Sequence, residues 1–371
     1  MSDFAVPYTS LPVQNAGVRD ELRGAFDEVL DSGHYIQGPN VRALEIEFAE
    51  FCGAPFATGM ANGTCSLHLV LRALGVGPGD EVITAPNSFF ASAAAIAVVG
   101  ARVVFADVRS DGNIDPDAVE AAVTNRTKVI MPVHLTGRPV DMKSLQDVAD
   151  RHGLQILEDA AQAVGSSFEG KCVGSWGTAA SFSLHPLKSL HAFGDAGILT
   201  AQDQHLVSDV ARRKNHGLED RDTCGEWSFN CRLDEVQAAL LRVQLRNLEA
   251  KIRERRRLAH RYHEMLSNHV DVPIEGLGEF HTYQTYLIQA DRRDELHAYL
   301  RANGVEALVH YPRPLHLQPA AADLRYGKGS FPTAEDLSRK ILSLPLFPGM
   351  TDSQQELVAS RIEDFYRGGH Q

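Results

Sequence analysis

Between about residues 60 and 200, strand-like and helix-like stretches alternate, and this rhythm limits the fold more than any other feature of the chain. CSLHLVLRALG is helical, and DEVITAP after it is extended. ASAAAIAVVG, IDPDAVEAAVTN and MKSLQDVADRHG are further helices, separated by the strands RVVFADV and KVIMPVH and followed by LQILED. Pro116 and its acidic neighbours mark a helix start, and Gly153 marks a helix stop. Parallel strands need helical crossovers that cover both sheet faces. The rhythm therefore predicts an α/β fold, a mostly parallel central sheet flanked by helices. In such sheets ligands bind beyond the C-terminal ends of the strands.

After about residue 232 the pattern changes. RLDEVQAALLRVQLRNLEAKIRERRRLAHRYHEML contains no glycine or proline and predicts one long helix bridging two parts of the molecule. Shorter α+β material follows: TYLIQA as a strand, RDELHAYLRANG as a helix, and a last helix near 352–367. The expected division is a large domain over 1–248, its N-terminal segment 1–20 included, and a smaller C-terminal α+β domain over 249–371. A chain of 371 residues, 44% hydrophobic, is long enough for both.

Several function classes drop out. A net charge of −12 argues against general nucleic-acid binding. The run KIRERRR, with Glu249 and Glu254 nearby, reads as a solvated helix face. FFASAAAIAVVGA is too short to span a bilayer and reads as a buried helix. MSDFAVPYTS lacks the marks of a signal peptide. The five cysteines form no C-x-x-C pair and read as free thiols of a cytoplasmic protein. The 16 histidines show no metal-ligand spacing. GVGPGD precedes a strand and is a turn, not a dinucleotide fingerprint, and RYGKGS lacks P-loop spacing.

Three features point to chemistry. Asp159 closes the strand LQILED, at the edge where such sheets bind ligands. It is placed either to cap a helix or to pair with a buried cationic heterocycle. Lys188, in SFSLHPLKSLHAFGDAG, sits among Pro186, Leu187 and Leu190, with Gly194 and Gly197 beyond. Apolar surroundings depress a lysine's pKa and suit it to form an imine and carry a proton. The competing account, a surface lysine, weakens once Asp159 is set beside it. NGT, Asn62 to Thr64, opens a predicted helix. Gly63 admits a ligand to the backbone, and Thr64 and Ser66 add hydroxyls, so the turn suits either a plain cap or a phosphate.

With these stretches in view, the chain resembles the sugar aminotransferases of the DegT/DnrJ/EryC1/StrS family. The resemblance is carried collinearly by SGHYIQGPNVRALEIEFAEFCG, ANGTCSLHLVLRALGVGPGDEVITAPNSFFAS, GARVVFADV, PVHLTGRPVDM, LEDAAQAVGSSFEGKCVGSWGTAASFSLHPLKSL, GDAGILT, FNCRLDEVQAAL, VHYPRPLHLQP and LSLPLFPGMT. It implies the fold type I, aspartate-aminotransferase-like architecture and the cofactor pyridoxal 5'-phosphate, with pyridoxamine phosphate formed in turnover. Lys188 would be bonded to the cofactor as a Schiff base, and Asp159 would pair with the protonated pyridine nitrogen. Gln162 would hydrogen-bond the ring hydroxyl, and Phe89 would stack on the ring. Gly63, Thr64 and Ser183 would hold the phosphate, and Asn230 would reach it from the neighbouring subunit of a homodimer with shared active sites.

The same resemblance implies an amino donor, L-glutamate, and a keto-sugar acceptor, a nucleotide-linked 3-keto (deoxy)hexose in amino-sugar biosynthesis. GDAG and RLDEVQAALLRVQL look more like members that aminate a 3-keto sugar. A 4-keto sugar, a sugar phosphate or a keto-cyclitol stands as the alternative, and a non-catalytic cofactor-binding regulator is more distant. Tyr35, His310, Tyr311 and His316 would contact the acceptor. Related dehydratases carry histidine at the lysine position; this chain has Lys188. FNCR and KSLH depart from the family's usual GYNYR and KNLG, so His185 and His191 either shape the pocket or pack.

Overall fold

A computed structural model describes residues 4–368. Residues 1–3 and 369–371, the outer ends of the two expected domains, lie outside the described residues. The alternating region forms β1 (Phe56–Met60), β2 (Glu81–Thr84), β3 (Arg102–Phe105), β4 (Thr127–Met131), β5 (Gln155–Asp159), β6 (Ser167–Phe168), β7 (Lys171–Cys172), β8 (Ala179–Ser183) and β9 (Gly197–Ala201). Seven of these make one sheet in the order β1-β9-β8-β5-β4-β2-β3. β3, β2, β4, β5 and β8 run parallel, and β9 runs against its neighbours β8 and β1.

Both faces of the sheet are covered, so its central strands are buried end to end instead of alternating. Ile198 and Leu199 are adjacent on β9 but belong to different core clusters, which places the clusters on opposite faces. One cluster gathers helices Gly63–Ala73, Phe90–Val98 and Met142–His152. The other packs helices Pro39–Cys52 and Glu235–Arg246 against Phe182, Leu184 and Ile198. A third core surrounds the antiparallel pair β11 (Tyr286–Gln289) and β12 (Ile341–Leu344), with helices Leu248–Leu266, Arg293–Ala302 and Asp352–Gly368. Between β7 and β11, the short β10 (Glu279–Phe280) pairs with β6 and joins the two parts.

Three expectations need correction. The single long helix is broken at Asn247, whose ψ of 0° ends helix Glu235–Arg246 before helix Leu248–Leu266 begins. Leu245 and Leu248, on either side of the break, are both buried in the second cluster. The apolar helix Phe90–Val98 buries Ser92, Ala95 and Ile96 but leaves Phe90 and Val98 exposed. KIRERRR is not wholly solvated, since Arg255 is 3% exposed. The N-terminal segment touches both parts: Val6 pairs with Val305 and lies in the third core, while Val18 packs with Leu240 and Val243 of helix Glu235–Arg246. No helix among the described residues is long and apolar enough to cross a membrane.

Candidate active site

The site forms at the C-terminal ends of β5 and β8. Asp159 ends β5 and stands opposite Ser181 of β8. Its backbone is fixed on both sides, N–H to Pro132 O at 2.8 Å and O from His134 N–H at 3.1 Å. Its carboxylate, 4% exposed, accepts the Ser92 hydroxyl on Oδ2 at 2.7 Å and the Ala161 N–H on Oδ1 at 3.2 Å. Burial raises its pKa, against the pull of Ser92, Ala161 N–H and the Lys188 charge. Behind it, the fully buried pair His134 and Glu158 meets at 3.1 Å. Glu158 also accepts the N–H groups of Gly174, Trp176 and Gly177, which pins the end of β5.

Lys188 lies in the irregular turn after β8. It is half-buried, and burial lowers its pKa while the Asp159 charge opposes the fall. Burial thus disfavours the charged form of both groups, and each partly compensates the other. His310 is also within reach of Lys188. Burial, and then the lysine charge, push its imidazole down to about 4.

The anion cradle is built from glycine contacts. Helix Gly63–Ala73 starts after Asn62, whose side chain accepts Cys65 N–H at 2.8 Å. Ser181 Oγ donates to Gly63 O at 3.0 Å. A Cβ on Gly63 would come 3.1 Å from Ser183 Cβ, and one on Gly197 would come 2.5 Å from the Asn62 carbonyl carbon. Only glycines allow the helix start to press onto the ends of β8 and β9 in this way. The helix N-terminus, the exposed Thr64 and Ser183 therefore sit beside one another, next to Asp159 on the adjoining strand.

Gln162 is held at both ends of its amide. Thr136 N–H donates to Oε1 at 2.6 Å, and Nε2 donates to Tyr311 OH at 3.3 Å. Burial raises the Tyr311 hydroxyl to about 12, helped by the Asp159 charge. Phe89, half exposed, lies 5.6 Å from the Tyr311 ring, centroid to centroid. Asp159, Lys188, Gln162, Gly63, Thr64, Ser183, Phe89, His310 and Tyr311 thus belong to one neighbourhood.

The rest fall elsewhere. Tyr35 is on the surface, its hydroxyl 3.4 Å from Leu30 O. Asn230 is exposed and bridges to Asn215. His316, expected to touch the acceptor, is a core residue: 2% exposed, 3.1 Å from Glu335 Oε1, and edge-on to Phe331. His185 is exposed, whereas His191 is buried and bonds Asn15 Oδ1 at 3.2 Å, so packing accounts for it. Sequence reasoning missed Ser92 and Thr136. Ser92 lies one helical turn beyond Phe89, a spacing that could have exposed it. Thr136 holds a left-handed φ of 61°, which no threonine advertises.

The donor set fits pyridoxal phosphate at three separate points. A buried carboxylate short of positive charge suits a ring N–H. A helix N-terminus with hydroxyls suits a phosphate, and an amine whose charged form burial disfavours suits an aldehyde.

Comparison with known proteins agrees. Residues 17–363 match the DegT/DnrJ/EryC1/StrS aminotransferase family. The chain is 42% identical to a "Pleiotropic regulatory protein" of Geobacillus stearothermophilus, over 98% of this chain and 99% of that one. It is 38% identical to the dTDP-3-amino-3,4,6-trideoxy-alpha-D-glucose transaminase of Streptomyces venezuelae, covering 97% of this chain and 96% of that one. Its structure matches the X-ray crystal structure of S. venezuelae DesV in complex with a ketimine intermediate, with a TM-score of 0.95 at 38% identity. That match covers 97% of this chain and 98% of the other.

Proposed function

The chain belongs to the DegT/DnrJ/EryC1/StrS aminotransferase family, and from that premise we propose that it is a pyridoxal-phosphate-dependent sugar aminotransferase. It moves an amino group from an amino acid, L-glutamate, to a nucleotide-linked 3-keto deoxyhexose in amino-sugar biosynthesis. The observation that carries the reading is the placement of Lys188, in the turn after β8, close enough for its charge to act on the buried Asp159 at the end of β5, beside the N-terminus of helix Gly63–Ala73. The 3-keto position is supported by the printed activity of the Streptomyces relative.

When bound, pyridoxal phosphate supplies an electron sink for the carbon that carries the amino group. Asp159 would hold a proton at the pyridine nitrogen, and the Ser92 hydroxyl favours that carboxylate's ionised form. Gly63 and Thr64 N–H with Ser183 Oγ bind the phosphate. Gln162, fixed by Thr136, meets the ring hydroxyl, and Phe89 covers a ring face. Lys188 Nζ takes up the proton released at the donor's α-carbon, which it does as a neutral amine. His310 and Tyr311 face the acceptor.

Two copies complete the site. Phe26 and Leu30, four apart on helix Arg19–Ser32, form an exposed apolar patch with Tyr35 and Ile36. Such a patch supports association of two chains, with Asn230 and Tyr35 serving the partner's site. Five free thiols accord with a cytoplasmic setting. The regulatory name of the Geobacillus relative favours a second reading, a cofactor-binding regulator, but a binding protein need not retain the set of Lys188, Asp159 and Gln162. The test is transfer of ¹⁵N from labelled glutamate to dTDP-linked 3-keto and 4-keto deoxyhexoses, read by mass spectrometry. Label in the 3-keto product supports the reading. Label only in the 4-keto product moves the acceptor, and label in neither favours the regulator.

A further inference from the structure

Gln284 reaches the lysine turn from the segment just before β11. Its Oε1 accepts both the N–H and the hydroxyl of Ser189, at 2.6 and 2.7 Å. Its Nε2 donates to Leu187 O at 2.7 Å. One side chain therefore grips the residues before and after Lys188. The amide orientation is determined by its partners, because two donors face the oxygen and one carbonyl faces the nitrogen. On the turn's other side Lys188 N–H closes onto His185 O at 2.8 Å.

The clamp is itself anchored. Arg255 Nη1 donates to Tyr283 O, Gln284 O and Leu346 O at 3.3, 3.4 and 3.1 Å. A cation buried to 3% exposure on backbone carbonyls is a costly group to place, and here it fixes the strand entry that carries Gln284. The same segment braces the other half of the site. Thr282 N–H bonds Gly137 O at 3.1 Å, and Thr285 N–H bonds Thr136 O at 3.2 Å. A Cβ on Gly137 would lie 2.9 Å from Gln284 N, so no side chain fits between the two turns. Residues 282–285 thus tie the turn that holds Gln162 to the turn that holds Lys188.

We propose that Gln284 is a positioning residue for Lys188, presenting its amine to the cofactor's aldehyde by clamping Leu187 and Ser189. This rests on Lys188 being the amine that bonds pyridoxal phosphate. An irregular turn has no ladder of its own to fix a side chain, and an amine displaced by about 1 Å loses its reacting geometry. In that reaction Lys188 Nζ adds to the aldehyde carbon, a carbon–nitrogen double bond forms, and the aldehyde oxygen leaves as water. Pyridoxamine phosphate carries an amine instead of an aldehyde, so it uses the same pocket without bonding the lysine.

The test measures the dissociation constants of both compounds, by absorbance and by calorimetry, for the wild type, Gln284→Ala and Gln284→Glu. In Gln284→Ala the constant for pyridoxal phosphate should rise ~10-fold or more, while that for pyridoxamine phosphate stays within about 2-fold. Gln284→Glu keeps the size and the acceptor for Ser189 but turns an oxygen toward Leu187 O. It should show the same split, and it secures the result where the alanine variant does not fold. Equal weakening of both compounds, or of neither, overturns the proposal and leaves the cofactor assignment standing. A wild type that binds neither compound overturns both.

Discussion

Replacing Ser92 with alanine removes the hydroxyl that donates to Asp159 Oδ2 at 2.7 Å, in a place where the carboxylate is 4% exposed. Burial already raises this carboxyl's pKa in the folded protein. A group raised in this way adds stability below its unfolded pKa and loses it as pH climbs through the folded one. Ser92 limits that loss by stabilising the ionised form. A hydrogen bond to a charged acceptor contributes about 1.5–3 kcal/mol, and one to a neutral partner about 0.5–1.5 kcal/mol. The Ser92→Ala protein, free of cofactor, should therefore lose about 2 kcal/mol at pH 8 and about 1 kcal/mol once Asp159 is protonated. Urea unfolding of both proteins across a series from pH 8 to pH 4 gives the difference directly. With cofactor, the variant should also turn over more slowly, because Asp159 without the Ser92 donor is less readily ionised and holds the ring nitrogen's proton less well. A difference that stays flat with pH, or that grows toward acid, would refute the reasoning.

Asp159→Asn keeps the shape and removes the buried charge. Its cofactor-free form should be as stable at pH 8 as the wild type, or up to about 1 kcal/mol more so by urea unfolding, while steady-state turnover falls by ~100-fold or more. His316→Ala should cost about 2–4 kcal/mol of stability in the same unfolding assay, since a buried ring and a partner of Glu335 are lost, and should leave the acceptor's KM unchanged. Stopped-flow rates of the glutamate half-reaction should fall as pH drops through the pKa of Lys188, because protonation removes the base. Burial depresses that pKa, so the fall should lie below the range of an ordinary lysine.

The sheet was legible because fully buried parallel strands alternate with helices at a regular spacing. Each predicted strand from DEVITAP to LQILED has its counterpart in β2 to β5. The long helix was misread because its break at Asn247 involves no glycine or proline. It rests on the backbone of one residue, Asn247 at φ −103° and ψ 0°, which apolar periodicity does not report. The apolar helix at Phe90 was read as buried because hydrophobicity reports what a surface prefers, not what covers it in a single chain. Asp159 and Lys188 could be found from strand ends and apolar neighbours, and Ser92 only through its spacing from Phe89. Thr136 and Gln284 could not, because their roles arise from pairs 26 and 95 residues apart that only the fold brings together. His316 shows the reverse, since a histidine placed by motif alone proved to be buried against Glu335.

The central claim is that Lys188 bonds pyridoxal phosphate and releases it to an amino donor. The most direct measurement is the visible spectrum of the wild type and Lys188→Ala with pyridoxal phosphate, before and after L-glutamate. The account predicts a yellow band in the wild type that bleaches with glutamate, and no lysine-bound band in the variant. A band of equal strength in both proteins, or a wild type that stays colourless, would contradict it.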